Sequence, residues 1–295
     1  MFATTRGTNL GAFGGPEWAL FLTSGLGFGS AFVFIAFALQ TTSPGLITLG
    51  RGLLGAAAIY LLPQARRRVD VEDRVPMLVL SLFLVAIPLS LIPIAQQWIS
   101  SALTGMLGGA MPIFAALISS FLLKAAPRRN QVLGIGLGFV GTILVSSTSL
   151  GEEPAAALGV GLVILATASY ALAVNLAAPM QQKYGSPAVM ARCLLVGSLA
   201  TLPLAWLTRG GTSFELSALL AIVVCGVFST GVANAAFGGL IGRAGSTRAS
   251  IVAYLVPVVA VVLGVVVRGE EVKPVALVGV AVILLGAWLT SRSEL

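Results

Sequence analysis

The chain has 295 residues, 57% of them hydrophobic and only 9% charged, with a formal net charge of +7 and no histidine. Soluble domains carry about 25% charged residues, so the composition excludes a soluble globular protein and fits a chain whose solvent is the bilayer. Positive charge alone would suit an anionic partner such as nucleic acid, but basic residues in a multi-pass protein serve first as topology signals, and no nucleic-acid partner is expected.

A hydrocarbon core of about 30 Å needs about 20 apolar residues per spanning helix. Ten apolar runs meet that need in chain order: 17–39, 44–63, 75–96, 99–123, 130–149, 157–180, 187–207, 216–240, 247–268 and 273–291. The first is too long for the apolar region of a signal peptide, and only Arg6 precedes it. Glu17, beside Trp18 at its start, reads as an interfacial anchor. Gly25 and Gly29 read as a packing face, with close approach of backbone to a ligand as the other reading. Phe28 and Ser30 lie near mid-span. The second run opens at Ser43-Pro44 and carries Arg51, roughly 10 Å inside the helix at 1.5 Å per residue. The fourth holds Pro112 near its middle. The fifth contains Gly136, Gly138 and Gly141, the G-x-G-x-x-G spacing of a dinucleotide-binding turn. That turn has to follow a strand and open a helix, whereas this one falls within an apolar span and reads as a packing stripe.

The sixth run carries Ser169, Tyr170 and Asn175. The seventh carries Arg192 and Cys193, the eighth Cys225, Ser229, Thr230 and Asn234, the ninth Tyr254 and Pro257. The two cysteines stand inside apolar runs without metal or pairing spacing and read as small packing residues. Pro112, Gly134 and Gly141 recur as Pro257, Gly279 and Gly286, each pair 145 residues apart. Ser43, Pro44, Arg51, Leu53 and Leu54 recur as Ser186, Pro187, Arg192, Leu194 and Leu195, at offsets of 143 falling to 141. One five-helix unit is written twice, as residues 1–153 and 154–295, with the acidic segment Glu152-Glu153-Pro154 at the junction.

An odd number of helices per unit inverts the second copy, and the charges agree. Counted from a cytoplasmic N-terminus, inner segments hold 12 of the Lys and Arg residues and outer segments three, Arg209, Arg268 and Lys273. The expected fold is an all-α membrane protein with ten transmembrane helices in two inverted five-helix repeats, both termini cytoplasmic.

No carboxylate lies in the middle of any run, so neither an acid–base catalytic set nor an intramembrane proton relay is expected, and nothing calls for a cofactor or a metal. Arg51 and Arg192 are the charges that lie well inside runs rather than at their ends. Each has two readings, a structural arginine bound to carbonyls of a neighbouring helix or a contact for an anionic group in transit. Pro112 and Pro257 free carbonyls four residues back, near Gly108 and Ala253. At mirrored depths they read as hinges or as simple bends. Phe28, Ser30, Tyr170, Asn175, Ser229, Asn234 and Tyr254 are each interhelical glue taken singly. Together they are candidates for an uncharged, amphipathic substrate path.

Four stretches carry a family resemblance: FGSAFVFIAFALQTTSPGLITLGRGLL, GGAMPIFAALISSFLL with its following G-x6-G, SPAVMARCLL, and STRASIVAYLVPVVAVVLGVVVRGEE with its G-x6-G. They resemble EamA-type transporters of the drug/metabolite transporter superfamily over the whole chain. Glu270 stands 13 residues after Pro257, as in that family, while Ala125 stands at the matching place after Pro112. The resemblance implies a bacterial inner-membrane exporter, in a branch that includes YddG-type aromatic amino-acid exporters. Its substrates would be small amphipathic metabolites, amino acids first, moved by alternating access, with a multidrug or organic-cation exporter as the alternative. It puts Phe28, Tyr170, Asn234 and Tyr254 near the path. The partners expected are a small-molecule substrate and the lipid bilayer, with the chain acting as a monomer.

Overall fold

Every apolar run of the sequence is helical in the computed structural model, which describes residues 13–122, 129–148, 154–244, 249 and 251–292; no strand occurs among them. Arg6, most of the KAAPRR loop, Glu152, Glu153 and Arg248 lie outside the described residues. Helix α1 is Gly15–Ala38, α2 Pro44–Tyr60 and α3 Arg74–Ser81 continuing through Leu82–Ala86 into Ile87–Ala95. Helix α4 is Ser101–Gly108 followed by Met111–Leu122, α5 Arg129–Ser147, α6 Pro154–Tyr184 and α7 Ser186–Ala200 with its continuation Leu202–Thr208. Helix α8 is Leu216–Val224, Cys225–Val232 and Ala233–Ala244 in succession, α9 Val252–Arg268 and α10 Pro274–Arg292. Prolines in the first turns of α1, α2 and α7 start these helices, where an N–H would be unpaired anyway.

Among the described residues five helices are long and apolar enough to cross a membrane, or six if the two segments of α7, bent by 42°, form one span. The bend falls at Thr201, and Pro203 in the first turn beyond it prevents one continuous hydrogen-bond ladder. The continuous helix expected over 187–207 is therefore two segments. Likewise the helix expected over 99–123 is interrupted at Gly109-Ala110, whose N–H groups turn to Met106 and Leu107 three residues back. Pro257 has no such effect, because α9 begins only five residues earlier and runs through it unbroken.

Apolar side chains face outward, as they do where the surroundings are lipid: Phe121, Leu207 and Val266 are 83%, 79% and 76% exposed. Polar side chains face inward and bond backbone. Thr48 of α2, for example, donates to the Leu89 carbonyl of α3 at 2.8 Å. Helix α1 is the central rod, packed between α8 and α9. Its glycines divide accordingly, with Gly25 and Gly29 against Leu255 and Val259 of α9 and Gly27 against Ala233 of α8. The other main pairings are α2 with α7 and α8, α3 with α6 and α7, and α4 with α6 and α9.

Helices α5 and α10 pair to one side through the repeated glycines. A Cβ on Gly141 would lie 2.7 Å from the Gly279 carbonyl oxygen, one on Gly279 2.9 Å from that of Gly141, and one on Gly286 2.5 Å from that of Gly134. The two copies of the motif thus face each other antiparallel, backbone to backbone, which side chains would forbid. Gly138 of the G-x-G-x-x-G spacing meets Ile113 of α4, so that spacing belongs to packing.

Polar contacts gather the loops at two ends of the bundle. At the more basic end Lys183 joins Asp70 and Asp73 at 2.8 and 2.6 Å, and Arg243 of α8 joins the buried Glu17 of α1 at 2.9 Å. Glu17 is therefore half of an ion pair rather than a free interfacial anchor. At the opposite end Ser213 bonds Thr41 and Lys273 bonds Thr148. There too, Glu270 accepts from the Ser101 and Ala102 N–H groups at 3.0 and 2.8 Å, capping α4.

Candidate substrate pathway

The two proline-bearing helices meet beside α1. Pro257 of α9 packs on the break of α4, where a Cβ on Gly109 would stand 3.3 Å from its ring. Phe32 of α1 closes the same junction, lying over Gly105 and Gly108 of α4, and its carbonyl accepts from Gln96 at 3.2 Å. The break of α4 therefore packs against the helix of the second half that carries the matching proline.

A second junction joins α1 and α2 to α8. There α8 is π-helical over Cys225–Val232, a wider winding that leaves some carbonyls without their usual i+4 donors. Side chains from the first half occupy this stretch. Ser30 of α1 shares a hydrogen bond of 3.0 Å with Ser229. The guanidinium of Arg51, only 5% exposed, donates through Nε and Nη2 to the Thr230 hydroxyl at 3.3 and 3.2 Å. Thr230 in turn donates to the Cys225 carbonyl five residues back, and Asn234 donates to the Thr230 carbonyl. The close approach of α2 comes from Gly55, where a Cβ would fall 2.9 Å from Thr230 Cγ2, and from Gly226, where one would fall 2.9 Å from the Arg51 carbonyl.

A third junction mirrors the second. Helix α3 is π-helical over Leu82–Ala86, and Ser169 of α6 donates to its Phe83 carbonyl at 2.7 Å. Shifted back by the 145-residue repeat, Cys225–Val232 falls on 80–87 and covers this stretch. Neither π segment was legible in the sequence, since one extra residue per turn leaves no mark on an apolar run.

The structure thus brings together Ser30 with Ser229, and Arg51 with Thr230 and Asn234. Tyr170 packs against both the α1/α8 core and the α3/α7 core. Phe28 stands apart from that group, edge-on to Phe237 of α8 with centroids 5.9 Å apart. Asn175 faces α4 and donates to the Ala115 carbonyl at 3.2 Å, and Tyr254 packs among α4, α5 and α10. Arg192 is at the basic end, where it donates to the carbonyls of Ala65, Ala188 and Arg67. Its guanidinium braces the turn after α2. Cys193 and Cys225 are buried free thiols in packing contacts. No cluster of His, Cys, Asp or Glu suited to a metal occurs among the described residues.

An apolar groove of 720 Å³ opens at the basic end between α1, α2 and α8, within the size range of small-molecule sites. Pro16, Leu20, Ala58, Gly231, Val232 and Arg243 are among its lining. None of the residues expected to bind substrate lines it. Gly231 and Ala58, both in its lining, bring α2 and α8 together, a Cβ on Gly231 falling 2.7 Å from that of Ala58.

The model of the EamA-like transporter family matches the chain twice, over residues 17–147 and 157–292. The chain belongs to that family. It is accordingly a multi-pass membrane transporter and not an enzyme. An uncharacterized transporter of Archaeoglobus fulgidus is 22% identical, covering 94% of this chain and 99% of its own length. A probable terminal-alkyne amino-acid exporter of Streptantibioticus cattleyicolor is 25% identical over 94% of each. A probable amino-acid metabolite efflux pump of Salmonella typhimurium is 23% identical over 61% of this EamA-like chain and 64% of its own. A crystal structure 17% identical in sequence matches with a TM-score of 0.67 over 94% of this chain and 98% of that one, a likeness of fold.

Proposed function

We propose that this EamA-like protein is a secondary transporter of the bacterial inner membrane that exports small amphipathic metabolites, neutral and aromatic amino acids above all. In this reading all ten helices cross the membrane, both termini are cytoplasmic, and residues 1–153 and 154–295 are inverted halves that alternate access as a monomer. The basic end of the bundle is the cytoplasmic one by the charge count. The observation that carries the reading is the meeting of Pro257 with the break of α4 at Gly109, a joint between mirrored elements of the two halves. A helix broken at such a joint, α4 against the continuous α9, is suited to rocking about a central site.

Relatives named as amino-acid exporters support the substrate class. Phe28, Ser30, Tyr170, Asn175, Ser229, Asn234 and Tyr254 are the proposed lining, with Pro112 and Pro257 as hinges. A buried arginine and the lack of any mid-span carboxylate count against the organic-cation alternative, since a cation entering the core would meet like charge. The test is uptake of labelled amino acids into liposomes holding the purified protein, with and without an imposed proton gradient. Saturable amino-acid flux that continues without the gradient is expected. No flux of any amino acid, beside saturable flux of a cationic dye, would overturn the proposal.

A further inference from the structure

We infer that Arg51, oriented by Thr230, is the point at which the transported molecule's carboxylate is held. This rests on the exporter reading and specifies its site. Among the described residues Glu17 and Arg51 are the two charged residues that are almost wholly buried, at 3% and 5% exposure. Glu17 is paired with Arg243, but Arg51 has no carboxylate within ion-pair distance. Its hydrogen bonding is also incomplete. Nε and Nη2 share a single acceptor, the Thr230 hydroxyl, and Nη1 has none among the described residues.

The hydroxyl proton of Thr230 is committed to the Cys225 carbonyl, so its lone pairs face the guanidinium. That arrangement holds one edge of the guanidinium and leaves donors over. A buried charge without a counter-ion is unfavourable, and a planar fork of N–H donors matches the two oxygens of a carboxylate. The binding of an anion there would complete the shell. The site lies at the junction of the halves, on the π-helical stretch of α8. Seven residues into α2, it is roughly 10 Å from the start of that helix, deeper than a lipid headgroup would reach.

Arg192, its counterpart in the second half, serves as the internal control. Its donors go to three backbone carbonyls, and a bound carboxylate would have to displace them.

The test compares molecules that differ only at the carboxyl group. Proteoliposomes would be assayed for flux of phenylalanine against phenylalaninamide, and purified protein for thermal stabilisation by phenylacetate against phenylacetamide. The wild type is expected to favour phenylalanine by about tenfold or more in kcat/KM, equivalent to one decade of affinity. Arg51→Gln is expected to bring that ratio near one and to abolish stabilisation by phenylacetate, while Arg51→Lys keeps part of both. Undiminished preference for phenylalanine in Arg51→Gln would overturn the inference and leave the exporter reading standing. Should Arg51→Gln fail to accumulate, Thr230→Val decides: a ratio lowered several-fold supports the site, and an unchanged ratio overturns it. A wild type that carries no amino acid, yet is stabilised by phenylacetate in an Arg51-dependent way, would refute the amino-acid exporter and keep the anion site.

Discussion

The two π-helical stretches stand at matching places in the two halves, and the two repeated arginines have gone different ways. On α8, Thr230 offers Arg51 a hydroxyl. Counting back 145 residues, the corresponding residue on α3 is Val85, which offers nothing polar. Glycines admit the neighbouring helix in both cases, Gly55 beside Thr230 and Gly197 beside Val85. The close approach of a glycine is therefore shared, while the side chain it meets differs. Arg192 lies at the basic end and completes its shell on Ala65, Ala188 and Arg67. Arg51 stays in the core with donors to spare. A duplicated unit has kept its frame in both copies and put the unsatisfied charge in one.

The comparison can be broken by exchanging its parts. The largest expected effect is on transport: Arg51→Gln should lower amino-acid flux at least about tenfold while leaving thermal stability equal or higher, because removing an unpaired buried charge relieves its desolvation. Arg192→Gln should do the reverse. Losing charge-assisted bonds to carbonyls should cost about 2–4 kcal/mol, read as a lower melting temperature and less protein in the membrane, with substrate preference kept. Smaller is Thr230→Val, which makes α8 resemble α3. It should cost about 1–2 kcal/mol, the scale of one buried hydrogen bond, and weaken substrate binding several-fold; unchanged affinity would mean that the hydroxyl does not orient Arg51.

The smallest effect is expected from pH. Hydrogen bonds from Lys183 and Tyr184 hold the Asp70 and Asp73 carboxyls below the usual carboxylate range, and the same acids hold Lys183 above the usual lysine range. A lowered acid keeps its pairing at every pH above its ordinary value and loses it only on acidification through the lowered one. A raised lysine keeps its pairing below its ordinary value and loses it only as pH rises through the raised one. The bridge that ties the α2–α3 loop to the end of α6 is thus complete between about pH 5 and 9. A pH profile of flux should show no inflection in that window that Lys183→Met removes.

Much of the frame was open to reading from residues alone. The apolar runs marked the helices because a bilayer fixes their length, and the 145-residue echo of Gly134 and Gly141 anticipated a packing role that the α5–α10 seam fulfils. Pro112 and Pro257 shared one expectation but met different contexts. Two adjacent glycines precede Pro112 and let α4 come apart, while Pro257 lies too near the start of α9 to break much of it. The fates of Arg51 and Arg192 were not legible, since residues 179 and 127 positions away, Thr230 and Ala65, decide them. Nor was the capping of α4 by Glu270, whose place after Pro257 was visible but whose partner 169 residues earlier was not.

The central claim is that the two arginines divide the work, Arg51 selecting the carboxylate and Arg192 holding the frame. The most direct measurement is the ratio of phenylalanine to phenylalaninamide flux in Arg51→Gln and Arg192→Gln, reconstituted side by side and normalised to inserted protein. A ratio near one is expected for Arg51→Gln and the wild-type ratio for Arg192→Gln. A wild-type ratio in Arg51→Gln, or a collapse in both, would contradict it.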